Sequence, residues 1–227
     1  QRQMCIRDRQ MLGDGHSSIV PDVKIWSPEV AEELRHRIED NPLTGKRDQW
    51  SKLSEQLTGA PEAVILLAAE LVLLRDHAER TLTLDTRVKH LKKVLALAGI
   101  DALPEWLGQM LKNREPSGFK GGQGYHGALW KQLIWLAKFV AHLRSQNMAT
   151  REAARGDAWE FQRLMLDIEE DTSGIRNALQ YLAFPEVFEP ISSNPKKAKI
   201  RQGFADRITP EPGDSPDAVD RDLLAIR

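Results

Sequence analysis

Residues 184–204 read FPEVFEPISSNPKKAKIRQGF, with three prolines, three phenylalanines and four cations in 21 positions. Each proline lacks an amide donor and restricts the residue before it, so one continuous helix across the stretch is excluded. The chain has to turn there, fix an aromatic pair, and then launch a basic helix from Pro195. By pattern alone this is a buried corner in a helical protein. Phe184, Phe188, Ile191, Ile200 and Phe204 are expected inside it, with Ile200 and Phe204 four apart on one helix face.

Working outward, the pattern is helical nearly throughout. Ser27 followed by Pro28 is a strong helix start, a hydroxyl cap with proline at the first helical position. That helix is expected to run to about Glu39, before Asn41-Pro42. Further helices are predicted over 47–57, from Pro61 through the apolar run 63–74, over 85–97 and over 104–111. Residues 129, 133, 136, 140 and 143 form an apolar stripe of helical period. Thr150 is expected to cap the next helix and Ser173 the one after. Residues 19–26 have some strand character, which Pro21 weakens. Residues 113–127 hold five glycines and one proline, a long loop for a compact domain.

The expected architecture is therefore mainly α, a multi-helix bundle in two helical groups joined by a glycine-rich loop. The groups span 26–112 and 128–208, with the loop at 113–127. Residues 1–25 read as an arm, and 209–227 as an acidic linker followed by the start of a further domain. Within the arm, residues 1–9 resemble translated sequencing-adapter read-through, which would make Cys5 accidental.

Composition narrows the function classes. A net charge of −1 gives no global reason to expect a nucleic-acid partner. Charge is uneven locally: Lys196, Lys197, Lys199, Arg201 and Arg207 precede Glu211, Asp214, Asp217, Asp220 and Asp222. The single cysteine excludes an intramolecular disulfide and suits a reducing cytoplasm. The run at 63–74 contains Glu70 and is shorter than the roughly 20 residues needed to span a bilayer; no membrane association is expected.

No catalytic constellation is legible. The glycine stretch 118–124 lacks the Gly-Lys-Ser/Thr that a phosphate loop needs, so no nucleotide cofactor is expected on this chain. Lys120, Gln123, Tyr125 and His126 could still meet phosphate or base edges from that loop. The histidines show no metal-ligand spacing. The acids at 169–171 read as a solvated helix end. Trp130, Trp135 and Trp159 fit apolar helical patterns and are expected in the core, although aromatics beside lysines can stack on bases. The basic helix could neutralise phosphates through Lys196, Lys197, Lys199 and Arg201, with Lys120 as a weaker contact.

A family resemblance rests on the opening stretch. Residues 176–182 (RNALQYL), then 184–193 (FPEVFEPISS), then Lys196, Lys197, Ile200 and Phe204, resemble a segment upstream of the motor in McrB-like AAA+ NTPases. The structural positions of that motif here are Phe184, Pro185, Phe188, Glu189, Ile191, Ser193, Ile200 and Phe204. Glu186 replaces the family's common aspartate. Pro195 stands where a histidine is common.

The resemblance implies a type IV restriction or antiviral defence component. Its sensing or coupling region would be this chain, non-enzymatic by itself. GTP or ATP with magnesium would belong to a motor domain not included here, as would oligomerisation and a McrC-like nuclease partner. A stand-alone helical adaptor for a protein partner is the alternative, and a hydrolase with an unrecognised site is a third.

Overall fold

The computed structural model describes residues 13–112, 118–168 and 172–227. The adapter-like residues 1–9, the first part of the glycine-rich loop and the acids at 169–171 lie outside them. The expected mainly α, multi-helix fold is what forms. Among the described residues there are twelve α-helices and two single turns of 3-10 helix. Residues 19–26 make no strand; His16 and Lys24 form only an isolated antiparallel bridge.

Two 17-residue helices carry the core, α3 (Glu62–Ala78) and α7 (Leu129–Ser145). α3 is apolar on every side through its first half, and a helix of that kind has to be covered all round. α1 (Pro28–Glu39) lies along both α3 and α7. α4 (Leu84–Leu95) and α10 (Ser173–Ala183) also pack on α3, while α2 (Gln49–Gln56) bridges α4 and α7. α5 (Glu105–Lys112) buries Leu107 and Leu111, and α6 (Gln123–His126) is one turn inside the glycine-rich stretch. α8 (Met148–Gly156) and α9 (Ala158–Leu166) follow α7, and α9 returns to pack on α7 and α10. α11 (Asn194–Gly203) and α12 (Pro216–Ile226) pair with each other at the end of the chain.

One hydrophobic cluster runs from Ile25 and Trp26 through α1, α3 and α7 to Phe184 and Phe188. The glycine-rich stretch thus joins two groups that share a continuous core. The buried carboxylate on α3 has a specific employment. Glu70 accepts from Ser17 Oγ (2.7 Å), Ser18 N (2.6 Å) and Ile19 N (3.3 Å) on one oxygen, and from Trp26 Nε1 (3.0 Å) on the other. It fastens the segment before α1 to the central helix.

Helix starts follow local capping chemistry. Ser27 accepts from Val30 N, and Pro28 opens α1 as expected. Thr150 does not cap a helix: Asn147 accepts from its amide, placing Thr150 inside α8. Asp157 then caps α9 through the amides of Trp159 and Glu160. Among the described residues, no helix is long and apolar enough to cross a membrane.

Candidate coupling joint and basic helix

α11 starts where the sequence places it. Ser193 accepts from Lys196 N, and Pro195 occupies the first turn, where a missing amide donor costs nothing. The helix does not present its cations as a row. Lys197 Nζ lies 2.6 Å from Asp220 Oδ1 on α12 and donates to Asn177 Oδ1 on α10 at 3.1 Å. The second oxygen of Asp220 accepts from Gln162 Nε2 on α9 at 2.7 Å. Four helices therefore meet at one ion pair. Burial pushes the Lys197 ammonium down and the Asp220 carboxyl up from their ordinary values, and their mutual attraction opposes both shifts.

One turn further along α11, Arg201 gathers the turn that leads into α12. Its guanidinium donates to Asp222 Oδ2 (2.5 Å), Asp214 Oδ1 (2.9 Å), Gly213 O (2.7 Å) and Glu211 O (2.6 Å). Asp222 Oδ1 in turn accepts from Glu211 N at 2.9 Å. A planar fork with five donors suits this convergence of acceptors, and the charge assistance strengthens each bond.

These contacts correct part of the phosphate-binding expectation. Lys197 is buried and Arg201 is occupied by its acceptors, so neither forms part of an open cationic face. Lys196, Lys199 and Lys120 are exposed. The segment 209–227 ends in a helix: its residues before Pro216 are non-helical, and α12 docks on α11.

The aromatic corner is half as expected. Phe188 is 1% exposed and meets Trp159 edge-on at 5.4 Å, while Phe184 packs against Phe161 at 5.6 Å. Arg221 of α12 lies 4.1 Å from the Trp159 ring centroid, tying the terminal helix to the corner by a cation–π contact. Ile191 and Ile200 are only half-buried, and Phe204 is 40% exposed. Lys197 and Arg201, four apart on α11, face α12; Ile200 lies to one side of them, and Phe204 follows the last turn of the helix as its C-cap, past the paired surface. Pro185 is exposed, and its carbonyl and Glu189 lie near Arg227 (3.5 and 3.4 Å).

A second polar cluster sits at the C-terminal end of α3. Arg75 is buried and donates to Gln132 Oε1 (2.5 Å), Asp76 Oδ1 (2.5 Å) and the carbonyls of Tyr125 (3.2 Å) and His126 (3.3 Å). The other oxygen of Asp76 lies 2.7 Å from His90 Nδ1, and His90 stacks on Trp50 at 3.9 Å. Glu79 accepts from Gly121 N at 2.9 Å and from Thr81. Burial works against ionisation of Glu79, but these donors outweigh it and hold the carboxyl below its usual range. At Gly121 a Cβ would come within 2.9 Å of the Glu79 side chain, so the loop can lie this close only as glycine. Tyr125 is buried with its hydroxyl donating to Arg75 O at 2.9 Å, which removes it from the loop residues that could meet a ligand. Gln123 stays exposed.

Of the three tryptophans expected in the core, Trp135 is buried, Trp159 is half-buried and Trp130 is 50% exposed. Sequence reasoning missed Asp220, Asp222 and the Arg75–Asp76–His90 chain. Only the clustering of charge at 75–79, on an otherwise apolar helix, hinted at a buried polar knot. No family model, curated protein or solved structure matches the chain.

Proposed function

We propose that this chain is a non-catalytic sensing and coupling region of the kind that precedes the motor in McrB-like restriction NTPases of antiviral defence. The motor, on the same polypeptide, would use GTP or ATP with magnesium and act with a McrC-like nuclease. What supports the reading is the resemblance across residues 176–204 together with the joint those residues make. The motif-bearing corner and the helix that follows it are fastened by a buried ion pair and an arginine fork. A joint of that kind transmits a displacement of α12 to α9 and α10 as a unit, because breaking it would strand a buried charge.

The test is the reading frame beyond Arg227. A Gly-Lys-Ser/Thr phosphate loop within about a hundred residues, with a McrC-like nuclease gene alongside, is the expected result. A frame that closes without such a loop overturns the reading in favour of a stand-alone adaptor.

Nucleic-acid contact, in this proposal, rests on Lys196 and Lys199, with Lys120 contributing less. Reversing the charge at Lys196 and Lys199 should lower affinity for duplex DNA and flatten the plot of log affinity against log salt by about two. An unchanged slope places the contact elsewhere.

A further inference from the structure

The turn before α2, α2 itself and the first half of α7 enclose a groove of about 980 Å³. Pockets for small organic ligands run from about 300 to 1,000 Å³ and are walled by apolar and aromatic side chains with a few polar groups. Here the walls are Leu43, Trp50, Leu53 and Ile134, and Trp130 stands at the rim with half its surface in water. A tryptophan that exposed gains by burial against a ligand ring.

The charges at the groove select the ligand. Both lining carboxylates are already engaged. Glu39 pairs with Arg35 and with Lys138, the latter at 3.2 Å. Asp48 caps α2, accepting from Trp50 N and Ser51 N. Of the lining cations, Arg47 pairs with Glu55 and Lys52 donates to Gly45 O. Lys131 differs: its ammonium lies 5.3 Å from the Trp130 ring centroid, and it enters no ion pair among the described residues. An aromatic surface beside a cation that pairs with no carboxylate of the described residues complements a ring that carries a negative group.

We propose that the groove binds a small planar aromatic anion, its ring against Trp130 and its carboxylate, sulfonate or phosphate on Lys131. The proposal is independent of any motor domain. It is tested with the full chain and anilinonaphthalene sulfonate, followed by ligand fluorescence and by calorimetry for stoichiometry. One saturable site is expected. Trp130→Ala and Lys131→Glu should each weaken binding about tenfold, the size of one stacking or ionic contact, and Lys131→Arg should restore it. Trp130 is half exposed, so its variant should keep the parent's circular dichroism. Displacement of the probe by indole acetate or by adenosine monophosphate would support the assignment and distinguish a carboxylate source from a phosphate one. Equal binding of the uncharged phenylnaphthylamine, tighter binding of a cationic ring, or indifference to both variants would overturn it.

Discussion

Lys197 Nζ stands 2.6 Å from Asp220 Oδ1, with both side chains almost wholly out of water. Removing either partner leaves the other as an unpaired buried charge, which typically costs about 3–5 kcal/mol. Asp220→Ala and Lys197→Met should each destabilise by that order in urea unfolding. The pair Lys197→Met with Asp220→Ala should lose markedly less than the sum, because no charge is then stranded. Additive losses would show that the two groups are not coupled and that α12 is held by its other contacts.

Glu70 makes a comparable prediction at the opposite end of the core. Its two oxygens serve Ser17, Ser18, Ile19 and Trp26, and burial pushes its carboxyl up from the ordinary range. Glu70→Ala removes the acceptor of Ser17 Oγ, Ser18 N and Trp26 Nε1, while Ile19 N keeps Ser17 Oγ, and should cost about 3 kcal/mol or more. Glu70→Gln keeps one acceptor oxygen and should cost less. Hydrogen exchange at the Ser18 and Ile19 amides would show whether the segment before α1 opens first in the alanine variant.

Glu70 also marks the limit of what the sequence discloses. Helix existence follows from local causes, and it was legible: the Ser27-Pro28 start, the stripe from 129 to 143 and the proline-punctuated corner all formed close to their expected bounds. An acid inside the run 63–74 signals only that something must receive it. Its partners lie about fifty positions away, and no local rule names them. The same holds for α11. A row of lysines reads as a solvated face until α12 supplies Asp220 and Asp222, and only the docked geometry separates Lys197 from Lys196. Thr150 failed as a cap for a different reason: Asn147, three residues earlier, makes the same bond and starts the helix sooner.

The aromatic corner separates two residues that pattern alone treats alike. Phe188 is enclosed between α9 and the corner, in edge contact with Trp159. Phe188→Ala should cost roughly 3–5 kcal/mol, the range for deleting a large buried ring. Phe204 is 40% exposed beyond α11, so Phe204→Ala should cost less than about 1 kcal/mol. Equal losses by thermal or urea unfolding would mean that Phe204 is as enclosed as Phe188.

The pH dependence of stability should carry the mark of His77. The ring is buried on α3, and burial first, then the neighbouring Arg87 charge, lower its pKa to about 4. An unfolded histidine titrates near 6.5, so the unfolded chain binds the proton first as pH falls. The stability tied to a neutral His77 is therefore complete above about pH 6.5 and is lost progressively as the pH falls from there to about 4. Between pH 7.5 and pH 5 the loss from this one group should be about 2 kcal/mol. Urea midpoints of the parent and of His77→Leu, measured at both pH values, give the comparison. The parent should fall further than the variant, since leucine has no proton to take up. Parallel losses in the two proteins would show that acid acts through other groups.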